Sequence, residues 1–219
     1  MKKFWGLIQY KPQWTLTLRG WLLILLLVLV LMLFIITQIQ PFLAPSYPIK
    51  ASALVVEGWV EDEVIEGAIA EFKRGDYRIL ITTGVPLFRG YHLAKYKNYA
   101  NLAAATLIKL NFDPNKIVAV PGPKVSRNRT MACAIALSQW LSNSELQIKS
   151  INIYADDVHT RRSWLIFKEA LAPDFEVGAI AHPAIKYEPK FWWTSSEGVR
   201  QIISETIAYL YACLISWSC

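Results

Sequence analysis

Ala53-Leu-Val-Val56 is a run of four apolar residues that is followed directly by Glu57 and Gly58. A short, continuous apolar run of this kind is typical of a strand that is buried on both faces of a sheet. A helical pattern comes next, because Asp62 can cap a segment whose apolar residues recur at helical spacing until Gly75 stops it. This stretch therefore predicts a strand–helix unit, the building block of an α/β fold.

The same alternation continues along the rest of the chain. Helical segments such as those from Thr130 to Leu141 and from Thr160 to Leu171 separate further strand-like runs. The pattern predicts a Rossmann-like, open and mostly parallel sheet of about five strands with helices on both faces. The predicted strands are Ala53–Val56, Arg78–Thr82, Lys116–Val120, Ser150–Tyr154 and Glu176–Ala181, and a last helix is predicted over about Glu197–Trp217.

A long apolar segment precedes this domain. Residues 21–36 are all apolar, and no charged residue occurs between Gly20 and Ile49. Because a bilayer helix needs about twenty such residues, we predict a transmembrane anchor over residues 20–40. The tail before it, residues 1–19, has four basic residues and no carboxylate, which predicts a cytoplasmic N-terminus. Residues 41–50 then form a linker, and residues 51–219 form an extracytoplasmic domain.

A cleaved signal peptide is the competing interpretation of the apolar segment. The residues from Gln38 to Pro45 offer no clear small-x-small cleavage site, so a retained anchor in the lipid bilayer is favoured. The chain has 23 basic and 17 acidic residues, and the tail accounts for four of the basic ones. The domain is therefore almost neutral, and no nucleic-acid partner is predicted.

The candidate site follows from the predicted sheet. Ligands of open parallel sheets bind outside the carboxyl ends of the strands, and arginines at a helix N-terminus favour phosphate or carboxylate. His159 can transfer a proton, donate a hydrogen bond to an oxyanion or cap a helix. Glu57 can act as a base, bind a cation or pair with an arginine. The candidates are Glu57 and His159 for catalysis, and Gly58, Thr83, Gly84, Arg129, Thr130, Arg161 and Arg162 for ligand binding.

A purely structural explanation of the two adjacent arginines stays open. Asp156 and Asp157 precede the helix that carries Arg161 and Arg162, so ion pairs between them would explain the arginines equally well. On the functional interpretation, His159 and Arg162 are partly exposed. Their replacement by alanine would then change the free energy of unfolding by no more than about 0.5 kcal/mol.

Several familiar sites are missing from the sequence. It has no dinucleotide-binding Gly-x-Gly-x-x-Gly, no phosphate-binding P-loop and no Gly-x-Ser-x-Gly elbow. The only histidines are His92, His159 and His182, so a His-Glu-x-x-His zinc site is excluded and no metal site is predicted. The residues identify no particular cofactor.

Four short motifs, in this order, resemble the YdcF/SanA/ElyC family of bacterial domains over about residues 51–217. They are Gly58 after the first strand, Thr83-Gly84 after the second, Thr130 at a helix start, and His159-x-x-Arg162 after the fourth strand. Each motif alone is weak, but the four together in this order are moderately specific. Glu57, Trp59 and Cys133 depart from the family pattern.

The resemblance implies a Rossmann-like fold and, for membrane-anchored members, a role in cell-envelope biogenesis that involves peptidoglycan, its lipid carrier or surface polysaccharide. It implies a single-pass protein of the bacterial cytoplasmic membrane that binds a phosphate-bearing lipid or glycan and envelope protein partners. Two alternatives stay open. One is a non-catalytic scaffold in an envelope assembly, and the other is a domain that binds S-adenosylmethionine or a nucleotide, as some soluble relatives are thought to do. Whether the chain is an enzyme is also open.

Overall fold

The computed structural model describes residues 16–215, with side chains up to Leu214, so most of the predicted cytoplasmic tail lies outside the described residues. The chain divides after Gln38 into two compact units. Helix α1, Leu18–Leu43, is long and apolar enough to cross a membrane. Its side chains from residue 21 to residue 35 are all exposed, which suits a helix surrounded by lipid.

Helix α1 is longer than the predicted anchor. It continues through Pro41 to Leu43, so the first three residues of the predicted linker are helical. The rest of that segment is packed on the domain, because Tyr47 pairs with Ala179 in an antiparallel bridge. Pro41 is accommodated close to the end of the helix, so the helix extends into the segment that was predicted as a linker.

The second unit confirms the predicted fold class, with a five-stranded, all-parallel sheet flanked by helices. The strand order is β3-β2-β1-β4-β5, so the order reverses between β1 and β4. Short 3-10 helices occur at Pro114–Lys116, Asp157–His159 and Pro189–Thr194. The main elements are β1 (Ala53–Glu57), α2 (Asp62–Arg74), β2 (Ile79–Gly84), α3 (Tyr99–Lys109), β3 (Ile117–Pro121), α4 (Arg129–Asn143), β4 (Ser150–Asp156), α5 (Thr160–Leu171), β5 (Glu176–His182) and α6 (Ser196–Ile215).

Alternate residues of the strands bury two separate cores. Ala53 and Val55 of β1 face the core that contains α4 and α5. Leu54 and Val56 face the core formed with α2 and α3 on the other side of the sheet. This division follows from the period of two along a strand, and it explains why the strands are apolar on both faces.

A third, smaller core holds the last helix in place. Leu43, Val158, Tyr187 and Ile202 form a buried cluster. Within the second unit, this cluster fixes the start of α6 beside the residues that follow β4. Helix α6 therefore lies at the carboxyl edge of the sheet, where it can contribute side chains to a site.

Candidate functional site

A cavity of about 580 Å³ lies at the carboxyl edge of the sheet. It is surrounded by the ends of β1 and β2 and by residues of α4, α5 and α6. Seven of the nine predicted site residues line it, whereas Gly58 and Arg161 do not. Those seven are Glu57, Thr83, Gly84, Arg129, Thr130, His159 and Arg162.

His159 is held between two carboxylates in this cavity. Its Nε2 lies 3.1 Å from Glu57 Oε2, and its Nδ1 lies 3.2 Å from Glu205 Oε1. Arg162 donates two hydrogen bonds to the same Glu205 carboxylate, from Nε to Oε2 at 2.9 Å and from Nη2 to Oε1 at 3.1 Å. The four side chains form one network where the strand order reverses, between β1 and β4.

The position of one proton decides how Arg162 interacts with His159. Arg162 Nη2 lies 2.8 Å from His159 Nδ1. Because a guanidinium only donates, this contact is a hydrogen bond only when Nδ1 carries no proton. A protonated Nδ1 donates to Glu205 instead, and Arg162 keeps its two bonds to that carboxylate. The network can therefore hold or release a proton on His159 without freeing Arg162.

The carboxylates favour the protonated ring. Burial opposes the charged form, but the charges and hydrogen bonds of Glu57 and Glu205 outweigh it and raise the pKa of His159 to about 9. Burial also opposes ionisation of the two acids. His159 and Ser163 nevertheless hold the pKa of Glu57 below its usual value, while His159 and Arg162 lower the pKa of Glu205 to about 2. At neutral pH the network therefore carries two positive and two negative charges.

These pKa shifts predict that stability is greatest in mildly acidic solution. The His159 contribution is complete below its ordinary pKa of 6.5 and is lost as the pH rises through about 9. The Glu205 contribution is complete above its ordinary pKa of 4.5 and is lost as the pH falls towards about 2. Between pH 7 and 9 the free energy of unfolding should fall by up to about 1.4 kcal/mol per pH unit, the slope for one proton.

Urea denaturation of the full chain in detergent micelles, followed by tryptophan fluorescence across this pH range, measures that slope. His159→Gln is the control, because it removes the titrating group and should flatten the alkaline limb. An equally steep limb in His159→Gln would show that another group causes it.

The partner of Arg162 differs from the one that the neighbouring sequence offered. Neither Asp156 nor Asp157 pairs with it, and Glu205 of α6 takes that place. Asp157 accepts hydrogen bonds from Gln40 Nε2, at 2.8 Å, and from the Tyr187 hydroxyl. The predicted exposure of His159 was also wrong, since it is only 6% exposed. A carboxylate from a distant helix thus determines how both residues are held.

Arg161 faces away from the cavity. Its Nε donates to the Phe42 carbonyl oxygen, and its guanidinium lies 4.0 Å from the centre of the Phe42 ring. Within the second unit, Arg161 therefore fixes the residues at the end of α1. The sequence analysis grouped Arg161 with Arg162 as ligand-binding residues, but only Arg162 lines the cavity, because consecutive residues of a helix point in different directions.

The glycines at this edge allow close packing of α3. A Cβ atom on Gly58 would lie 2.2 Å from the Tyr99 carbonyl oxygen, and one on Gly84 would lie 2.6 Å from Tyr99 Cβ. Tyr99 is the first residue of α3. The space beside both glycines is thus already filled by the protein, although Gly84 also borders the cavity.

The N-terminus of α4 lies at the cavity. Arg129 and Thr130 form its first turn and line the cavity, and no side chain caps the helix at Asn128. Asn128 has left-handed backbone angles, with φ of 52° and ψ of 44°. Arg129 forms no salt bridge among residues 16–215, and its guanidinium lies 4.4 Å from the centre of the Phe88 ring. This end of α4 combines N–H groups, a cation and a hydroxyl, which favours an anion.

A buried hydroxyl group lies on another part of the cavity wall. Thr83 is completely buried, and its Oγ1 has no hydrogen-bond partner among the described residues. The thiol of Cys133 is near enough for Thr83 to influence it, but their contact does not meet ordinary hydrogen-bond geometry. Burial and the charge of Glu57 raise the pKa of Cys133 to about 12, so this thiol is neither a thiolate nor a nucleophile at neutral pH.

The cavity as a whole has balanced charges. Three carboxylates, those of Glu57, Glu169 and Glu205, face Arg129, Arg162 and a protonated His159. Ser163 donates a hydrogen bond to Glu57 Oε2 at 2.6 Å. A serine nucleophile would instead contact the histidine that accepts its proton. In the part of the chain that the structure describes, no cluster of three or more His, Cys, Asp or Glu side chains has the arrangement of a metal site.

Glu205 is the main site residue that the sequence analysis missed. It is the only residue with a charged side chain from position 202 to position 219, a stretch that is otherwise apolar or uncharged. A lone carboxylate in such a segment usually needs a buried partner, and that signal was available in the sequence. The sequence did not show which residues are its partners, because Arg162 and His159 lie more than forty positions away.

No family model matches the chain, and no curated protein matches it significantly. The resemblance to YdcF-like domains therefore stays a prediction that is based on the four loop motifs.

Proposed function

We propose that this chain is a single-pass membrane protein whose extracytoplasmic domain binds a phosphate-bearing ligand in the cavity. The length and apolar character of α1 support the anchor. The basic tail supports a cytoplasmic N-terminus. The four loop motifs support a role in biogenesis of the cell envelope, with a lipid-carrier phosphate, a peptidoglycan precursor or a surface glycan as the source of the phosphate group.

The single observation that carries the ligand proposal is the group of unpaired polar atoms on the wall of one cavity. The uncapped N-terminus of α4 and the Arg129 guanidinium both favour negative charge. The Thr83 hydroxyl is buried without a partner, and such groups normally have one in proteins. A phosphate oxygen accepts hydrogen bonds from the α4 N–H groups and from Arg129, and it reaches the fully buried Thr83 hydroxyl only if the cavity wall moves.

The anion-binding position differs from the one that the sequence analysis favoured. Arg162 is already neutralised by Glu205, and His159 is already paired with Glu57. An anion added beside them would compete with two buried carboxylates. We therefore place the phosphate group at Arg129 and Thr130, with the His159 network as the opposite wall.

A non-catalytic binding module is the second candidate. It is favoured by the charge balance of the Glu57–His159–Glu205–Arg162 network, in which every charged group has a partner within the protein. Such a network also fixes α6 against the sheet without any reaction. An enzyme would instead transfer the proton on His159. The contacts of Nδ1 with Glu205 and Arg162 are compatible with the protonated and with the neutral ring.

Binding by Arg129→Gln and Arg127→Gln variants tests the ligand proposal. Arg127 is an exposed arginine of the loop just before α4 and is not among the residues that line the cavity, which makes it a matched control. With the full chain in detergent micelles, we expect Arg129→Gln to weaken binding of inorganic phosphate and farnesyl phosphate about tenfold, as one charged hydrogen bond is lost. Arg127→Gln should leave both affinities unchanged. Equal effects of the two variants, or no binding of either probe by the wild type, would contradict the proposal.

Thr83→Val and Thr82→Val form a second matched pair. Both hydroxyls are completely buried on β2, but Thr82 Oγ1 donates to the Ala100 carbonyl at 2.9 Å and Thr83 Oγ1 has no partner. Thr82→Val should therefore lower the free energy of unfolding by about 1 kcal/mol, while Thr83→Val should leave it unchanged or raise it. Calorimetry with the same probes should show weaker binding only for Thr83→Val. Unchanged binding by Thr83→Val would remove this hydroxyl from the site.

A further inference from the structure

The loop between β2 and α3, residues 85–98, carries basic side chains and no acidic ones. We call it the basic loop. It contains Arg89, Lys95 and Lys97, and the chain has no acidic residue between Asp76 and Asp113. None of the three cations forms a salt bridge within the described residues. The loop thus presents a surface of one charge sign, although the domain around it is almost neutral.

The same loop exposes large apolar side chains. Leu93 is 94% exposed, Phe88 56% and Tyr91 42%. The loop is closed at its base by the Pro86–Asn98 bridge and is therefore a defined structure. Exposed aliphatic and aromatic side chains among lysines and arginines are typical of segments that enter the interface of an anionic membrane.

The basic loop lies at the edge of the sheet to which the end of α1 is attached. Arg161 and Asp157, which follow β4, contact Phe42 and Gln40 near the end of α1. The basic loop follows β2, and the carboxyl ends of parallel strands lie at one edge of a sheet. The two residues of α1 that contact this edge, Gln40 and Phe42, follow within a few positions of the apolar segment that we propose to lie in the bilayer.

Helix α6 adds a second exposed apolar surface at the cavity. Phe88 of the basic loop and Tyr211 of α6 both line the cavity and are both more than half exposed, so they mark its rim. The α6 residues that share this exposed helical face are Ile203, Ile207, Leu210 and Leu214. Among residues 202–215 the single charged side chain, Glu205, points into the network.

We propose that the basic loop docks on a bilayer surface that contains anionic lipids. Leu93 and the neighbouring aromatic rings enter the interface, while Arg89 and Lys95 contact the lipid headgroups. A second copy of the chain is a poorer partner for this loop, because two basic loops would repel each other. Docking would turn the cavity rim towards the membrane. The inference rests on the proposed anchoring by α1 and is independent of the ligand.

A fluorescent label on the loop tests this docking. Leu93→Cys is made in the full chain with Cys213→Ser and Cys219→Ser, while Cys133 is buried and stays. The labelled protein is reconstituted into phosphatidylcholine vesicles with and without about 30 mol % phosphatidylglycerol, and quenching by spin-labelled lipid is measured. We expect quenching at position 93 to rise about threefold with the anionic lipid. Arg89→Gln with Lys95→Gln should abolish that rise.

The control label is placed at Asn115, an exposed residue of the turn before β3 at the amino edge of the sheet. Its quenching should stay low in both kinds of vesicle. Circular dichroism of each labelled protein checks that the fold is retained. Equal quenching at positions 93 and 115, or quenching at position 93 that ignores phosphatidylglycerol, would overturn the proposal. So would protection of the label from aqueous iodide in lipid-free detergent, because that result would indicate a protein partner or a second copy.

Discussion

Replacing His159 by alanine is expected to lower the free energy of unfolding by about 3–5 kcal/mol, because the substitution leaves a buried carboxylate without its cation. Glu57 is only 2% exposed. After the substitution it still accepts a hydrogen bond from the Ser163 hydroxyl, but that group carries no positive charge. The ring also packs edge-on against Trp59, with their centres 4.7 Å apart. Urea denaturation of the full chain in detergent micelles measures the change.

A second substitution separates the buried charge from the loss of packing. Glu57→Gln removes the uncompensated charge, so the double variant Glu57→Gln/His159→Ala should regain about 1–2 kcal/mol relative to His159→Ala alone. His182→Ala is a matched histidine control, because His182 contacts the Tyr154 hydroxyl and forms no salt bridge with a carboxylate within residues 16–215. His182→Ala should lower the free energy of unfolding by about 1 kcal/mol. A loss below about 0.5 kcal/mol for His159→Ala would instead agree with the exposed position that the sequence had indicated.

This expectation changes how functional assays on the network should be interpreted. A His159 variant that loses activity in a cell is expected to have lost folded protein as well, since its partner Glu57 is buried. Arg129 is a better residue for testing ligand binding, because it is exposed and forms no salt bridge among the described residues. Its removal should affect a ligand without leaving a buried charge unpaired.

The fold could be predicted because its signals are local. Helix α5 was predicted from Thr160 to Leu171 and has those bounds in the structure. The strands were each predicted correctly within one or two residues at either end, because a parallel sheet that is covered on both faces needs continuous apolar runs. The repeated strand–helix units restrict the number of topologies that the chain can adopt, but the order β3-β2-β1-β4-β5 itself was not predicted.

The contacts within the site could not be predicted in the same way. Local reasoning offered Asp156 or Asp157 as a possible partner of Arg162, because they are near in sequence. The backbone at Asp157 has a positive φ of 37°, and its carboxylate contacts Gln40 and Tyr187. Arg162 instead contacts a residue of α6, and the packing of that helix on the sheet depends on the whole fold. Long-range packing therefore decided which charges are paired and which are available to a ligand.

Gly58→Ala is expected to lower the free energy of unfolding by about 3 kcal/mol. The new Cβ would lie 2.2 Å from the Tyr99 carbonyl oxygen and 2.7 Å from the Tyr99 carbonyl carbon. These are backbone atoms of the first residue of α3, so they cannot move without displacing that helix. Alanine also reduces the entropy of the unfolded chain, but that gain of about 0.4–1 kcal/mol is smaller than the cost of the clash.

A ligand-contacting role for Gly58 predicts a different result, namely weaker ligand binding with unchanged stability. Gly90→Ala is the control for a glycine with open space around it, since no atom lies within 4 Å of its Cβ position, and its positive φ of 68° should cost only about 1 kcal/mol. Thermal and urea denaturation of both variants, in the full chain, distinguish the two roles. If Gly58→Ala were as stable as the wild type, the loop after β1 would have to move away from α3, and Gly58 would again be a candidate for direct contact with the ligand.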